Sequence, residues 1–208
     1  MRPFSMLLVA TILTLSTLAG CGSNPTKLYV LSANAEKTGA AGPRGIAIGI
    51  GPVSLPKYLD RPQIVTRTGS NSLTQGDFDQ WGGDLNDNIT RVLATNLANL
   101  LGTDRVSLFP LRDPAAVDYQ IILDITQFDG GENGVGLDVF WSLVNPTSGK
   151  ILVMRRSTYP ENGALRTSGS PDDKSRDRVY AAAAAAMSYD LEALSRDIAA
   201  AIRQQRSF

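Results

Sequence analysis

Apolar residues alternate with polar ones through Tyr119, Ile121, Leu123 and Ile125, and again through Val135, Leu137, Val139, Trp141 and Leu143. A period of two puts one set of side chains on one face of an extended chain, so these runs predict two antiparallel strands with one strongly buried face each. The segment between them, Phe128-Asp129-Gly130-Gly131-Glu132-Asn133-Gly134, reads as a glycine-rich turn. It is acidic but lacks the alternating oxygen ligands and closing acidic residue of an EF-hand, so a hairpin is preferred over a calcium loop. Further strands are expected over residues 27–32, 46–53, 63–68, 105–109 and 151–159, with Ser72-Leu73-Thr74 as a hairpin partner across the Gly69-Ser70-Asn71 turn.

Two stretches keep helical spacing instead. From Asp84 to Leu101 the apolar positions are 85, 89, 92, 93, 97, 100 and 101, with Asp84 placed as N-cap and Gly102 as C-terminal stop. From about residue 174 to 204, Tyr180, Ala184, Met187, Leu191, Leu194, Ile198 and Ala201 recur at steps of four and three, a narrow stripe along roughly 45 Å of helix. Docking on the sheet fits that stripe better than a free-standing coiled coil. The alanine run 181–186 combines high helix propensity with small side chains that permit close approach. Residues 33–45 and 160–175 are turn-rich, and the latter should be exposed. The fold class that follows is α/β (α+β): a single domain with a mixed, largely antiparallel sheet of about six strands and two main helices packed on it.

The first 20 residues do not belong to that fold. Arg2 supplies a positive start and residues 4–18 an apolar run too short to span a bilayer, as in a signal peptide. The tetrad Leu18-Ala19-Gly20-Cys21 that closes it resembles a bacterial lipobox, which implies cleavage before Cys21 and acylation of its thiol. One myristoyl chain binds a membrane only marginally, whereas several anchor stably. An ordinary secretory signal with an unmodified cysteine is the alternative. Residues 21–26 would then be a lipidated tether and residues 27–208 the domain. Gly22 stands where an aspartate would suggest inner-membrane retention, so by analogy the outer membrane is the expected destination.

Composition narrows the chemistry. The 188 residues left of 208 suffice for one domain with a substantial core. With 20 basic and 20 acidic residues there is no basic footprint for nucleic acid. The chain has no histidine, which removes Ser-His-Asp and Cys-His catalysis and makes a zinc site improbable. Its single cysteine, once acylated, leaves no thiol for disulfides, metal or nucleophilic chemistry. Gly49 and Gly51 are not followed by the Gly, Lys or helix start of a phosphate loop. No catalytic residues, metal ligands or cofactors are therefore expected, apart from covalent lipid on Cys21.

The phrases Gly51-Pro52-Val53 through Leu55-Pro56, Tyr58-Leu59-Asp60-Arg61-Pro62-Gln63-Ile64-Val65, Phe78-Asp79-Gln80-Trp81 and Asp118-Tyr119-Gln120-Ile121 are similar to those of the PqiC/YmbA family, as is the run from Leu123 to Gly130. Members of that family are also called ABC-type transport auxiliary lipoproteins. The chain departs from the pattern at Leu28-Tyr29, where two aromatics are expected, and at Gly82-Gly83 after the tryptophan. The resemblance implies a non-catalytic outer-membrane lipoprotein facing the periplasm. It implies as partners an MCE-domain protein (PqiB-like) with its ABC-type permease, which together move lipid between membranes, and in some members assembly into rings. A homo-oligomeric ring is left open here. The alternative is a periplasmic carrier holding an acyl chain between helix and sheet.

A partner surface is expected at the loop that Pro56 and Pro62 stiffen, since a rigid loop loses little entropy on binding. Tyr58, Leu59, Arg61, Phe78 and Trp81 are the candidate contacts. For Leu59, Phe78 and Trp81 the competing role is packing the first helix on the sheet, and Trp81 suits it best.

Overall fold

The computed structural model describes residues 25–37, 45–69, 71–131, 134–162 and 173–206. The expected signal peptide, Cys21, the start of the expected tether and most of the stretch 160–175 lie outside the described residues. In chain order the elements are β1 (Lys27–Tyr29), β2 (Ile48–Ser54), β3 (Gln63–Thr68), β4 (Ser72–Trp81), α1 (Leu85–Leu101), β5 (Val106–Leu108), a 3-10 turn (Pro114–Ala116), β6 (Tyr119–Gly131), β7 (Gly134–Val144), β8 (Ile151–Asn162) and α2 (Asp173–Arg206).

The sheet is organised around β6, whose 13 residues pair along one edge with β7 from Gln120↔Val144 to Gly131↔Gly134. The other edge of β6 is shared. Its first half runs parallel to β2, and its last two residues run parallel to β3 through Thr66↔Gly130 and Arg67↔Gly131. One branch then continues to β5 beyond β2, the other through β4 to β1 beyond β3, and β8 flanks β7. The sheet is mixed, as expected. Its long pairings β3–β4, β6–β7 and β7–β8 are antiparallel, while the four shorter ones are parallel. Eight strands are described rather than about six: each segment expected to be extended joins the sheet, including the two three-residue edge strands β1 and β5.

Alternation decides which face of the sheet is covered. Ile121, Leu123, Ile125, Leu137, Val139, Trp141 and Leu143 are all at most 1% exposed, whereas Phe140 between them is 45% exposed. The buried side chains meet the helices. In α1 the capping is as the sequence requires: Asp84 accepts from the Asp87 amide at 3.1 Å, and Gly102 adopts φ 60° to close the C-terminus on the Ala98 carbonyl. The stripe of α2 docks on the sheet and on α1, with Leu191, Leu194 and Ile198 fully buried. It is wider than expected, since Ala183, Ala199 and Ile202 are also buried. Each such leucine or isoleucine contributes about 1.5–3 kcal/mol. Ser188 and Ser195, buried on the same helix, return their hydroxyls to the carbonyls of Ala184 and Leu191.

The first strand stops at Tyr29, three residues short of the expected end, because β4 ends at Trp81 and the Gly82 amide makes the last rung to the Tyr29 carbonyl at 2.7 Å. Beyond it the chain is held by the helices. The Ser32 amide donates to Ser188 Oγ, the Ala35 amide to Asn96 Oδ1, and Asn99 Nδ2 to the Ala35 carbonyl, each at 3.0 Å. Leu31 and Ala35 are buried beneath these bonds.

Candidate functional site

Between β2 and β3 the two-proline loop turns back on itself through the Leu59 amide to the Pro56 carbonyl and the Arg61 amide to the Leu59 carbonyl, both at 2.9 Å. Pro62, lacking an amide, still accepts from the Trp81 amide at 2.7 Å, which ties the loop to the end of β4. Below the loop lies a carboxylate withdrawn from water. Asp129, 2% exposed near the end of β6, accepts from Tyr58 Oη at 2.7 Å, from Arg67 Nε and Nη2 at 3.1 and 2.9 Å, and from Gln127 Nε2 at 3.2 Å. The bidentate guanidinium supplies the countercharge that a buried carboxylate needs.

Electrostatics follows from that arrangement. Burial first, and then the bond to the Asp129 carboxylate, push the Tyr58 hydroxyl well above the usual phenol range, so it stays a donor. The same carboxylate raises the Arg67 guanidinium further above its already high value. The group is a structural lock between the loop, β3 and β6.

The five candidate contacts are placed unequally. Leu59 and Trp81 are 3% and 5% exposed and belong to the core, so their side chains offer no surface to a partner. Tyr58 is half-buried, its ring against the core and its hydroxyl on Asp129. Arg61 is exposed and donates to Gln75 Oε1 on β4 at 3.0 Å. Phe78, three residues further along β4, is 38% exposed. Arg61 and Phe78 are thus exposed on two neighbouring elements, the loop and β4. Cys21 lies outside the described residues.

Sequence reasoning missed Asp129 and Arg67, 62 positions apart. It also missed the uncovered face of β7 and β8. There Arg156 lies over the Phe140 ring at 5.4 Å and is bidentate to Asp138, which it holds below the usual carboxylate range, while Met154 is 67% exposed. Among the described residues no three His, Cys, Asp or Glu side chains gather as a metal-binding group. No described helix is long and apolar enough to cross a membrane.

The family model of the ABC-type transport auxiliary lipoprotein component matches residues 29–199, from the last residue of β1 to within the final turns of α2. The chain belongs to this family. The family is one of auxiliary transport components rather than of enzymes, and the resemblance seen in the Tyr58–Val65 phrase is borne out. A crystal structure of a Xanthomonas campestris protein shares the fold with a TM-score of 0.68 at 16% identity, covering 88% of this auxiliary lipoprotein and all of that chain, 100%. A second crystal structure, of an uncharacterized protein, gives 0.61 at 16% identity over 86% and 99% of the two chains. At 14% identity and a TM-score of 0.39, the PelC dodecamer from Paraburkholderia phytofirmans, covering 75% and 93%, is too distant to carry an argument. No curated protein matches the sequence.

Proposed function

We propose that this auxiliary lipoprotein is anchored in the outer membrane by acyl chains on Cys21, faces the periplasm, and is a non-catalytic docking part of an MCE-type intermembrane lipid transport system. The observation that carries the docking role is the two-proline loop locked onto Asp129, with Arg61 exposed on the loop and Phe78 exposed on the neighbouring β4. A loop already fixed by Tyr58, Arg67 and the Pro62 carbonyl loses little conformational freedom when a partner closes on it. Family membership supports the partnership with a transporter.

The carrier alternative is less well supported. Leu191, Leu194 and Ile198 sit directly against the sheet at 0% exposure, so that interface is filled by protein rather than by an acyl chain.

The test is affinity purification of the membrane-anchored protein. An MCE-domain protein should co-purify, and Arg61→Ala with Phe78→Ala should reduce its yield several-fold while leaving thermal unfolding unchanged. Undiminished capture by the double variant would remove these two residues from the interface. In parallel, radiolabelled palmitate should mark the chain and not its Cys21→Ser variant.

A further inference from the structure

An uncharged groove with exposed apolar side chains lies beside the start of the domain. Leu28, Val30 and Tyr189 are 66%, 57% and 64% exposed, and they line a groove of about 390 Å³ between β1 and the first half of α2. Ala181, Ala184, Ala185 and Ser188 line it from the helix. None of the ten residues lining it is charged, in a chain of which 19% is Asp, Glu, Lys or Arg. Two other places with exposed apolar side chains are mixed with charge: Phe140 lies under Arg156, and Leu108 and Phe109 share a groove with Asp87 and Arg91.

The chain upstream limits what can reach this surface. Cys21 is seven residues before Leu28, a reach of at most about 25 Å for fully extended chain. A domain of this size has a diameter of about 40 Å from its expected radius of gyration. The side carrying β1 must therefore lie toward whatever holds Cys21, and the β5 and β8 edges of the sheet branch away from β1.

We propose that the Leu28–Val30–Tyr189 surface is a membrane-docking face, seated in the headgroup and upper acyl region of the leaflet that holds the Cys21 lipid. This rests on the acyl-anchor reading above. The chemistry matches a lipid surface: two aliphatic side chains and alanines supply apolar area without a charge to desolvate, and Tyr189 combines an apolar ring with a hydroxyl suited to the interface. The face sets the orientation of the domain. With β1 and the first half of α2 on the bilayer, α2 cannot stand free of the membrane along its whole length.

The acylated full-length protein allows a clean test, because Cys21 is its single cysteine and is consumed by lipid. Val30→Cys and Tyr189→Cys would each carry one nitroxide, with Phe140→Cys and Met154→Cys as controls on the uncovered sheet face. The variants are bound to phosphatidylethanolamine/phosphatidylglycerol vesicles, and spin-label accessibility to oxygen is compared with accessibility to a water-soluble nickel chelate. At positions 30 and 189 the oxygen-to-nickel ratio should rise several-fold on vesicle binding, and at 140 and 154 it should not change. Vesicle-bound protein whose labels at 30 and 189 remain open to the nickel chelate would overturn the docking face while leaving the anchor intact. Labels at 30 and 189 that are shielded from both reagents and broadened by spin–spin coupling would also overturn it, assigning the surface to a second copy. Protein that fails to float with vesicles would overturn the anchor reading and the docking face together.

Discussion

Removing the carboxylate of Asp129 tests the lock beneath the two-proline loop. In Asp129→Ala, Tyr58 Oη loses its acceptor at 2.7 Å and Arg67 loses a bidentate partner whose side chain is only 1% exposed. Breaking a buried pair costs about 3–5 kcal/mol, but the Arg67 side chain is 28% exposed and regains water, so the low end applies, about 3 kcal/mol. For a domain of this length that lowers Tm by about 6–12 °C. Tyr58→Phe alone should cost about 1 kcal/mol, the net value of one hydrogen bond. In the Asp129→Ala background the same change should cost almost nothing, because the bond it removes is already gone. Thermal unfolding of wild type, both single variants and the double variant, followed by circular dichroism, measures that coupling. The lock is refuted if Asp129→Ala shifts Tm by less than about 3 °C, or if Tyr58→Phe costs the same in both backgrounds. A loosened loop should also bind its partner about fivefold more weakly, since roughly 1 kcal/mol of ordering moves into the binding step.

Asp190 is 7% exposed on α2, its Oδ2 lacks a hydrogen-bond partner in the structure, and burial raises its pKa to about 7. Its proton is therefore held more tightly folded than unfolded: the contribution of this one carboxyl to stability is fully present below about pH 4 and is lost, by about 2–4 kcal/mol, as pH rises through 7, a loss that Asp190→Asn should abolish in urea unfolding. Leu194→Ala, at a fully buried position between α2 and the sheet, should cost about 2–5 kcal/mol by denaturant titration. At Gly51 φ is 102° and an added Cβ would sit 2.9 Å from Phe109 Cβ, so Gly51→Ala should cost about 1–3 kcal/mol, and no loss of Tm would contradict the geometry. Asp84→Ala should cost about 1 kcal/mol through the lost cap on α1, read from the same melts.

The strands of the covered face were legible because burial on one side writes a period of two, as at Ile121, Leu123 and Ile125. The helices were legible because Asp84 and Gly102 punctuate one and the Leu191–Leu194–Ile198 spacing marks the other. Gly130 and Gly131 misled for a physical reason. They read as turn residues, yet they extend β6, and an added Cβ on Gly131 would lie 3.1 Å from the Arg67 carbonyl oxygen. The smallness of Gly131 serves the close approach of β3 at the forked edge. Polar residues around Asp77 and Asp79 hid most of β4 in the same way, since that strand lies mostly at the surface and Asp79 is used to accept from Tyr29 Oη. Asp129 and Arg67 had no local pattern to reveal them, because their partnership exists only once β3 meets the end of β6.

The way the chain enters the domain has a mechanical consequence. Any pull on a lipid-held N-terminus first loads the three rungs of β1, a grip that would peel readily by itself. The strain then meets the bonds from Ser32 to Ser188 and from Ala35 to Asn96, which deliver it to the middles of both helices rather than to the edge of the sheet. If Cys21 is acylated as proposed, a tug from the membrane is shared by the two stiffest rods in the molecule before any strand of the central sheet begins to slide.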